Sequence, residues 1–368
     1  MTIYGKINSE GLRKTQDQSV GAILFEEDRS PYPANFYAPA GRIGCGMILV
    51  TGANGFVGKA LIERFVTEGQ VVRATVRTPA AASTLRAEHP QVEVVVIGDI
   101  GPATVWNEAV RSADAVVHLA SRVHVMRETE PDPLRAFRSV NTEGSIALAR
   151  AAAAAGVQRF IYLSTVKVLG EWTEDQPFSD ASTPYPIDPY AISKHEAEHA
   201  LFRIESETAM RVTSLRPPLV YGAGVKGNFQ RLLRWVDAGY PLPLGAIHNQ
   251  RSLLYLGNLV DAIVTLLARS VEPGRAYVLR DGEDVSTPEL IRKLAKQMDA
   301  PARLLPIPAW GLRLSAQLSG RAEAVRRLMD SLTIDDTRFR HETGWAPRYT
   351  LDQGLGETVH WYLATRRT

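Results

Sequence analysis

Three glycines at three-residue spacing, between an apolar strand and an apolar helix, constrain the fold of this chain more than any other feature. The run Ile48–Val50 is typical of a buried strand, and the apolar residues of 61–66 recur at helical spacing. Gly52 permits a tight turn, Gly55 lets a ligand approach the backbone, and Gly58 lets the helix lie close on the strand. The amide groups of the helix N-terminus would then face a diphosphate. The pattern predicts a dinucleotide-binding βαβ unit. The residues predicted to contact the dinucleotide in this turn are Gly52, Asn54, Gly55, Phe56, Val57 and Gly58.

The composition of the chain excludes several classes of protein. The chain has 368 residues and a net charge of +2 without a cluster of Lys and Arg, so nucleic acid is not an expected partner. The single cysteine, Cys45, excludes an internal disulfide framework and a cysteine-based zinc site, and no metal is expected. No apolar run approaches the roughly 20 residues that span a bilayer, and no signal-peptide pattern begins the chain. We therefore expect a cytoplasmic enzyme without an integral membrane segment.

From residue 47 to about 170 the sequence alternates between strands and helices. Further strands are predicted at Val71–Val76, Val92–Ile97, Ala115–Leu119 and Arg159–Ser164. A long, alanine-rich helix is predicted from Arg138 to Ala155, ended by Gly156. Strands that are apolar throughout and alternate with helices indicate a parallel sheet covered on both faces. Right-handed crossovers then predict an α/β fold, a doubly wound parallel sheet of the Rossmann type, with a smaller C-terminal substrate lobe.

Three regions follow from the change of pattern along the chain. Residues 1–46 mix charges of both signs with prolines and glycines, so we expect a flexible N-terminal extension, with Met47 a candidate for the native start. Residues 47–215 are the predicted dinucleotide-binding Rossmann domain. Residues 216–368 are mainly the substrate lobe, interleaved with strands such as Ala276–Leu279 that return to the sheet.

Tyr190 and Lys194 are the candidate catalytic pair. Four residues apart, they share one face of a predicted helix. A free Tyr ionises near pH 10, and a neighbouring Lys with an oxidised nicotinamide would lower the pKa into a useful range. Ser164 and Thr165 end the fifth predicted strand, and ligands bind at the carboxyl ends of strands in such sheets. A hydroxyl there can hold the substrate oxygen beside Tyr190; of the two, we expect Ser164 to be the more structural.

Together these motifs resemble the extended short-chain dehydrogenase/reductase family, in particular its UDP-sugar 4-epimerase, dehydratase and 4-keto-reductase branches. The resemblance extends from Met47 to about Tyr362. Its markers after the glycine turn are Val117–Ser121, Asn141, Ser164-Thr165 with Gly170, the pair Tyr190 and Lys194, Arg216–Gly222 and Thr343–Pro347.

The resemblance implies roles for individual residues. Thr165 would orient the sugar C4 oxygen, Tyr190 would transfer its proton, and Lys194 would hold the nicotinamide ribose. Asn228 and Phe229 resemble positions for uracil. Arg251 resembles a diphosphate ligand, although a plain surface arginine is the alternative. The other cofactor contacts that the resemblance implies are Asp99, Ile100, Leu119, Ala120, Ser121, Asn141 and Pro217.

The end of the second strand departs from the pattern of NAD-preferring relatives. Those relatives carry an acidic residue there for the ribose hydroxyls, whereas this chain has Arg73 and Arg77 and no carboxylate. Arg77 can pair with a 2′-phosphate, with Arg73 as a second candidate, so NADP(H) is favoured and NAD(H) is the alternative. The alternative is that Arg77 merely caps the end of the strand in solvent. A second departure is Leu169, where the family often has Tyr.

The cofactor preference favours one of two leading functions. A 4-keto-reductase consumes reduced cofactor at every turnover, and NADPH is the usual reductant; a 4-epimerase retains its cofactor. The segments Val123–Met126 and Gly245–Leu253 resemble bacterial polysaccharide enzymes that act on UDP-4-keto-6-deoxy-N-acetylhexosamines. A UDP-hexose 4-epimerase acting on UDP-glucose or UDP-N-acetylglucosamine with retained NAD is the alternative. A non-catalytic dinucleotide sensor would have no need of Tyr190 and Lys194. A homodimer is typical of the family.

Overall fold

The computed structural model describes Gly44 and residues 46–123, 131–269, 271–318 and 322–366. The expected N-terminal extension therefore lies almost entirely outside the described residues. None of the described helices is long and apolar enough to cross a lipid bilayer.

Within the described residues, seven strands form one parallel sheet in the order β3-β2-β1-β4-β5-β6-β9. They are β1 (Ile48–Thr51), β2 (Val72–Val76), β3 (Glu93–Val96), β4 (Ala115–His118), β5 (Arg159–Leu163), β6 (Arg211–Arg216) and β9 (Arg275–Val278). The order runs outward in both directions from the β1–β4 pair, so the sheet is doubly wound. This confirms the predicted Rossmann architecture, and it places a ligand-binding crevice where the order reverses.

Helices connect the strands and cover the sheet. They are α1 (Phe56–Thr67), α2 (Pro79–Glu88), α3 (Asn107–Val110), α4 (Pro133–Phe137), α5 (Gly144–Ala154), α6 (Pro189–Glu207), α7 (Gly227–Asp237), α8 (Leu256–Ala268), α9 (Thr287–Gln297), α10 (Ala309–Leu318), α11 (Ala322–Met329), α12 (Thr337–Thr343) and α13 (Leu351–Thr365). Residues of α1 and α8 pack on one face of the sheet, and residues of α5 and α6 on the other. Burial of both faces explains why the strands are continuous apolar runs.

A smaller sheet lies in the C-terminal part of the chain. Its strands are β7 (Leu219–Tyr221), β8 (Arg251–Tyr255) and β10 (Asp284–Val285), in the order β10-β8-β7. β7 runs parallel to β8, and β10 runs antiparallel to it. β9 follows β8 in the chain but joins the main sheet beside β6, at the position predicted for a returning strand. The division of the chain at residue 215 stays a prediction.

One predicted helix has a different form. The helical segment predicted from Arg138 begins earlier, at Pro133, and Arg138–Glu143 is a π-helical turn between α4 and α5. Hydrophobic periodicity does not show such a change, because a π turn adds one residue within an otherwise continuous helix. Single π turns are frequent at functional sites. The end of the helix agrees with the prediction, since Gly156 follows it with a φ of +83°.

Candidate active site

The turn after β1 has the geometry that its glycines were predicted to provide. Gly52 has a φ of +67°, a conformation that favours glycine. A Cβ on Gly58 would lie 2.2 Å from the Gly52 carbonyl oxygen, so no side chain fits where α1 meets the turn. α1 begins at Phe56, and its N-cap, Gly55, has no side chain that could occupy the first-turn amide groups. This cradle fits the diphosphate of a dinucleotide.

The end of β2 carries a cation. Arg77 follows the strand directly, and its side chain is 73% exposed, with Nε 3.6 Å from the carboxylate of Asp99. Arg73 is instead buried: Nη2 donates to Glu93 at 2.8 Å, and Nη1 donates to backbone carbonyls at the end of α3. The prediction of Arg73 as a second cofactor partner is therefore wrong. Because Arg73 lies inside the strand, its guanidinium binds Glu93 and the end of α3. Arg77 is then the remaining candidate for a contact with the 2′-phosphate.

Tyr190 lies in the first turn of α6. Asp188 caps this helix, its Oδ1 accepting a hydrogen bond from the Ala191 amide at 2.7 Å, and Pro189 begins it. Burial raises the pKa of Tyr190 above its usual value, the charge of Asp188 raises it further, and a hydrogen bond with Ser121 opposes both. Desolvation therefore dominates the pKa of this phenol, and the lowering by Lys194 together with an oxidised nicotinamide stays a prediction. At neutral pH the phenol is protonated.

Lys194 lies one turn further along α6 and is buried. Its Nζ is 4.1 Å from the centre of the Tyr162 ring, within the range of a cation–π contact. Burial lowers the pKa of Lys194 to about 7, and the charge of Glu198 opposes that shift. Glu198 is itself fixed by hydrogen bonds from Arg216 at 2.7 and 3.0 Å and from Ser214 at 2.7 Å. The titration of Lys194 thus lies in the neutral range.

The two predicted hydroxyls follow β5 and differ in their surroundings. Thr165 Oγ1 accepts a hydrogen bond from the Lys167 amide at 3.3 Å and caps a short 3₁₀ turn. The Oγ of Ser164 is buried and has no hydrogen-bond partner among the described residues. Lys167 Nζ binds Glu171 at 2.7 Å and also binds Asp188, the cap of α6. This ion pair joins the turn after β5 to the helix that carries Tyr190.

Asn141 lies in the π-helical turn and joins two other parts of the site. Its Oδ1 accepts hydrogen bonds from Ser121 Oγ at 3.0 Å and from the Arg122 amide at 2.8 Å. Its Nδ2 donates to the Arg122 carbonyl and to Ser193 Oγ, both at 3.0 Å. All four hydrogen-bonding positions of the amide are used. Asn141 therefore fixes the loop after β4 to α6 between the two predicted catalytic residues.

A buried chain of hydrogen bonds extends from β1 to Asn141 through His118. Thr51 Oγ1 lies 2.6 Å from His118 Nδ1, and His118 Nε2 lies 2.9 Å from Ser145 Oγ. Ser145 donates to the Asn141 carbonyl at 2.6 Å, so its only proton is used and Nε2 must donate to it. Nδ1 then accepts from Thr51, which in turn accepts from the Ala120 amide at 3.2 Å. Burial, and secondly the charge of Lys194, lower the pKa of His118 to about 3. The imidazole in this series of hydrogen bonds is therefore neutral.

The other predicted cofactor residues lie beyond the carboxyl ends of their strands. They are Asp99 and Ile100 after β3, Leu119, Ala120 and Ser121 after β4, and Pro217 after β6. Asp99 and Ile100 line a cavity of about 620 Å³ next to β3. The Pro217 carbonyl accepts a hydrogen bond from the Val166 amide at 2.9 Å, which ties the loop after β6 to the turn that carries Thr165.

The predicted substrate residues are more dispersed. Phe229 is 2% exposed and stacks on Tyr221 with ring centroids 5.5 Å apart, so its side chain belongs to the core. Asn228 is exposed in the first turn of α7. Arg251 Nη1 donates to the carbonyls of Arg327 and Asp330, both at 2.9 Å, at the end of α11. The structure therefore gives Arg251 a structural contact, and its role toward a ligand stays a prediction.

A cavity of about 510 Å³ lies in this same region. It is lined by Trp172 and by residues of α10 and α11 together with the segment that follows α11. The guanidinium of Arg326 lies 3.6 Å from the centre of the Trp172 ring, and Arg313 and Asp330 also line the cavity. These residues were not predicted from sequence, since they come from distant parts of the chain without a shared motif.

Four further residues of the site were not assigned a role by the sequence analysis. Ser193 could have been predicted from its position, because it lies between Tyr190 and Lys194 in the sequence. Thr51 and His118 end neighbouring strands and are direct register partners, so a strand alignment would have paired them. No sequence signal indicated that Tyr162 lies beneath Lys194.

Comparison with known proteins agrees with this geometry. Residues 48–279 match the NAD dependent epimerase/dehydratase family. A UDP-glucose 4-epimerase of Vibrio cholerae is 38% identical over 319 residues, 86% of this chain and 95% of that protein. A GDP-6-deoxy-D-mannose reductase of Pseudomonas aeruginosa is 30% identical, over 84% of this chain and 94% of that one. The crystal structure of UDP-glucuronic acid 4-epimerase from Bacillus cereus in complex with NAD matches with a TM-score of 0.70 at 20% identity, covering 87% and 99% of the two chains.

The chain therefore belongs to the NAD dependent epimerase/dehydratase family, and it is an enzyme that uses a nicotinamide dinucleotide. The predicted resemblance is confirmed. The glycine turn, the open N-terminus of α1 and the fixed loop after β4 are the parts of this structure that fit such a cofactor.

Proposed function

We propose that the protein reduces the C4 ketone of a UDP-4-keto-6-deoxy-N-acetylhexosamine with NADPH. The reaction would belong to surface polysaccharide biosynthesis and take place in the cytoplasm, with the enzyme a homodimer. Two relatives support a nucleotide-sugar substrate, since one is named a UDP-glucose 4-epimerase and the other a GDP-6-deoxy-D-mannose reductase. The reaction requires a proton donor near the ketone, a group that holds its oxygen, and a fixed reduced nicotinamide.

The residues at the carboxyl edge of the sheet fit these requirements. When bound, the cofactor supplies the hydride. Tyr190 donates a proton to the C4 oxygen, and Thr165 holds that oxygen by a hydrogen bond. Lys194 holds the ribose and, in its charged form, stabilises the phenolate that Tyr190 becomes after proton donation. Because burial and Asp188 raise the pKa of Tyr190, the residue begins the reaction in its acid form, which is the form that a reduction needs.

The single observation that carries the choice of reductase is the exposed Arg77 at the end of β2. A guanidinium can form charge-assisted hydrogen bonds to a 2′-phosphate, and the sequence at the end of β2, Val76-Arg77-Thr78, has no carboxylate for the ribose hydroxyls of NAD. The Asp99 contact is between exposed side chains, so it is weak and is readily exchanged for a phosphate. A preference for NADP(H) favours net reduction over epimerisation, because NADPH is the usual reductant that is consumed at each turnover.

The cavity between Trp172 and helices α10 and α11 is the proposed site of the uridine diphosphate. Trp172 offers an aromatic face, and Arg313 and Arg326 offer positive charge to the diphosphate. Arg251 joins this site through its contact with the Asp330 carbonyl, and Asn228 lies in the exposed first turn of α7. The side chain of Phe229 is in the core, so a contact from that residue would come from its backbone.

A UDP-hexose 4-epimerase with retained NAD is the second candidate. The observation that favours it is the 38% identity with a protein of that name over 95% of its length. An epimerase has the same Tyr and Lys, but it must remove a proton first and must keep its cofactor. The alternatives therefore differ in cofactor consumption.

Turnover with two substrates tests the proposal. Purified protein with UDP-4-keto-6-deoxy-N-acetylglucosamine and NADPH should show a loss of absorbance at 340 nm, and UDP-N-acetylglucosamine or UDP-glucose without added cofactor should stay unchanged. Conversion of a UDP-hexose to its C4 epimer without added cofactor would establish the second candidate instead. A Tyr190→Phe control should abolish either activity.

Binding of the two cofactors tests the role of Arg77. Arg77→Ala should weaken NADPH binding by roughly 10- to 150-fold, the scale of a hydrogen bond to a charged group, with little change for NADH. Added salt should reduce the difference by screening. Arg111→Ala, at an exposed position after α3, is the matched control and should leave both affinities unchanged. Equal binding of both cofactors by the wild-type protein would contradict the proposal.

A further inference from the structure

A group of apolar side chains is exposed in the C-terminal part of the chain. It consists of Trp235 and Tyr240 at the end of α7, Leu305 and Ile307 in the loop before α10, and Trp310 and Leu314 on α10. Large aliphatic and aromatic side chains are usually exposed singly rather than in groups. We call this group the apolar patch.

Backbone contacts hold the parts of the patch together. The Leu242 amide donates to the Arg303 carbonyl at 2.8 Å, and the Leu305 amide donates back to the Leu242 carbonyl at 2.9 Å. A Cβ on Gly239, the residue before Tyr240, would lie 3.9 Å from the Arg303 guanidinium carbon. The loop after α7 and the loop before α10 therefore run side by side, and their exposed side chains share one region of the surface.

Helix α10 has apolar residues on its exposed side as well as on its buried side. Leu312 is buried against the rest of the lobe, whereas Trp310 is 72% exposed and Leu314, one turn later, is 51% exposed. Arg313 lies between them in sequence and is exposed as well. Trp and Leu together with Arg on an exposed helix are typical of helices that lie in a membrane interface.

The charge around the patch is positive. Residues 226–250 contain Lys226, Arg231 and Arg234 against one carboxylate, Asp237, which is already bound to Arg366 and to Tyr362. Residues 299–318 contain Arg303 and Arg313 against one carboxylate, the exposed Asp299. An apolar surface with cationic neighbours is complementary to anionic lipid headgroups above an acyl layer.

We propose that the apolar patch docks on the surface of a bilayer that contains anionic lipid. Trp310, Leu314 and Ile307 enter the interface, the aromatic rings of Trp235 and Tyr240 lie at the headgroup level, and Arg303 binds lipid phosphates. Arg313 also lines the 510 Å³ cavity beside Trp172, so docking brings that cavity next to the membrane. This inference does not depend on which sugar reaction the enzyme catalyses.

Flotation of the purified full-length protein with lipid vesicles tests the proposal. We expect binding to vesicles of phosphatidylcholine mixed with phosphatidylglycerol, weaker binding to phosphatidylcholine alone, and release by salt. Trp310→Ser/Leu314→Ser should lose roughly tenfold or more in vesicle affinity, because two interfacial side chains are removed. Arg303→Glu should lose at least about fivefold on the anionic vesicles only, the scale of one basic residue near such a surface.

Matched controls separate docking from general stickiness or misfolding. Val105→Ser changes a side chain that is 76% exposed elsewhere, in the first half of the chain, and should bind vesicles like wild type. All variants should keep the wild-type melting temperature and cofactor affinity; if Trp310→Ser/Leu314→Ser does not, Arg303→Glu alone decides the test.

Three results would overturn the proposal. The first is failure of the wild-type protein to bind anionic vesicles at low salt. The second is wild-type vesicle binding by folded Trp310→Ser/Leu314→Ser or Arg303→Glu. The third is a change of sedimentation mass in the double variant without vesicle binding by the parent. The last result would identify a second copy of the chain as the occupant.

Discussion

Two buried asparagines, one in each half of the molecule, both join separate segments of the chain through their side-chain amides, but the segments that they join are different. Asn141 in the first half binds the loop after β4 and Ser193 of α6, directly between Tyr190 and Lys194. Asn249 in the second half donates to the Leu328 and Asp330 carbonyls and to Thr287, and accepts from the Thr287 amide. Both amides are almost fully hydrogen-bonded and both are buried.

The difference lies in what each asparagine holds. Asn141 fixes the loop after β4 to the helix that carries the proposed catalytic residues, where small displacements would affect the chemistry. Asn249 fixes the end of α11 to the start of α9, and hence one wall of the cavity beside Trp172. We therefore propose that residues around Asn141 mainly affect the rate, and that residues around Asn249 mainly affect binding of the nucleotide sugar.

The largest expected effect belongs to the first half. Tyr190→Phe should lower kcat by roughly 10²- to 10⁴-fold, because it removes the proton donor while the ring still fills its space. Cofactor affinity, measured by fluorescence titration, should stay near the wild-type value. The matched control is Tyr362→Phe, which loses a hydroxyl that binds Asp237 at 3.0 Å and should retain its activity. A wild-type kcat in Tyr190→Phe would show that Tyr190 is not the general acid.

The two hydroxyls after β5 should differ in the same assay. Thr165→Val should lower kcat by roughly 10²- to 10³-fold, the scale seen when one donor to a developing oxyanion is removed. Thr165→Ser should restore most of the activity, since it returns the hydroxyl. Ser164→Ala should change kcat only slightly, because its Oγ has no partner among the described residues and leaves none unsatisfied. A larger loss in Ser164→Ala than in Thr165→Val would exchange the two roles.

The asparagine pair tests the comparison itself. Asn141→Ala and Asn249→Ala should each destabilise the protein by about 1–3 kcal/mol, because each leaves buried partners unsatisfied. Only Asn141→Ala should also lower kcat, by up to about 100-fold, through displacement of α6. Asn249→Ala should instead raise KM for the nucleotide sugar with little change in kcat. Equal effects on kcat would show that the two halves do not divide rate and binding in this way.

The difference between the halves also explains how far the sequence could predict the structure. The turn at Gly52 and Gly58 and the helix that carries Tyr190 and Lys194 could be predicted, because spacing encodes such local geometry. The roles of these residues stay predictions. Arg73 was misplaced because burial at the strand edge depends on Glu93 and α3, which are distant in sequence. The cavity beside Trp172 depends on packing between several segments and has no local signal.

The smallest expected effect is a pH dependence of stability that originates at His118. Its pKa is about 3 in the folded protein and about 6.5 when exposed, so the unfolded state binds more protons between these values. Stability should therefore fall as pH falls through this range, by about 2 kcal/mol from this residue between pH 7 and pH 5. Chemical denaturation at the two pH values should show a smaller loss for His118→Gln than for wild type. An equal loss in both proteins would place the acid sensitivity elsewhere.

Isotope transfer tests the central proposal, net reduction at C4, most directly. The protein would be incubated with UDP-4-keto-6-deoxy-N-acetylglucosamine and NADPH carrying deuterium at the transferable C4 position of the nicotinamide, and the sugar product analysed by NMR. The account predicts deuterium on C4 of the sugar, with one NADP⁺ formed for each product molecule. No NADPH oxidised and no deuterium in the sugar, together with C4 epimers in a parallel incubation with UDP-glucose, would contradict it.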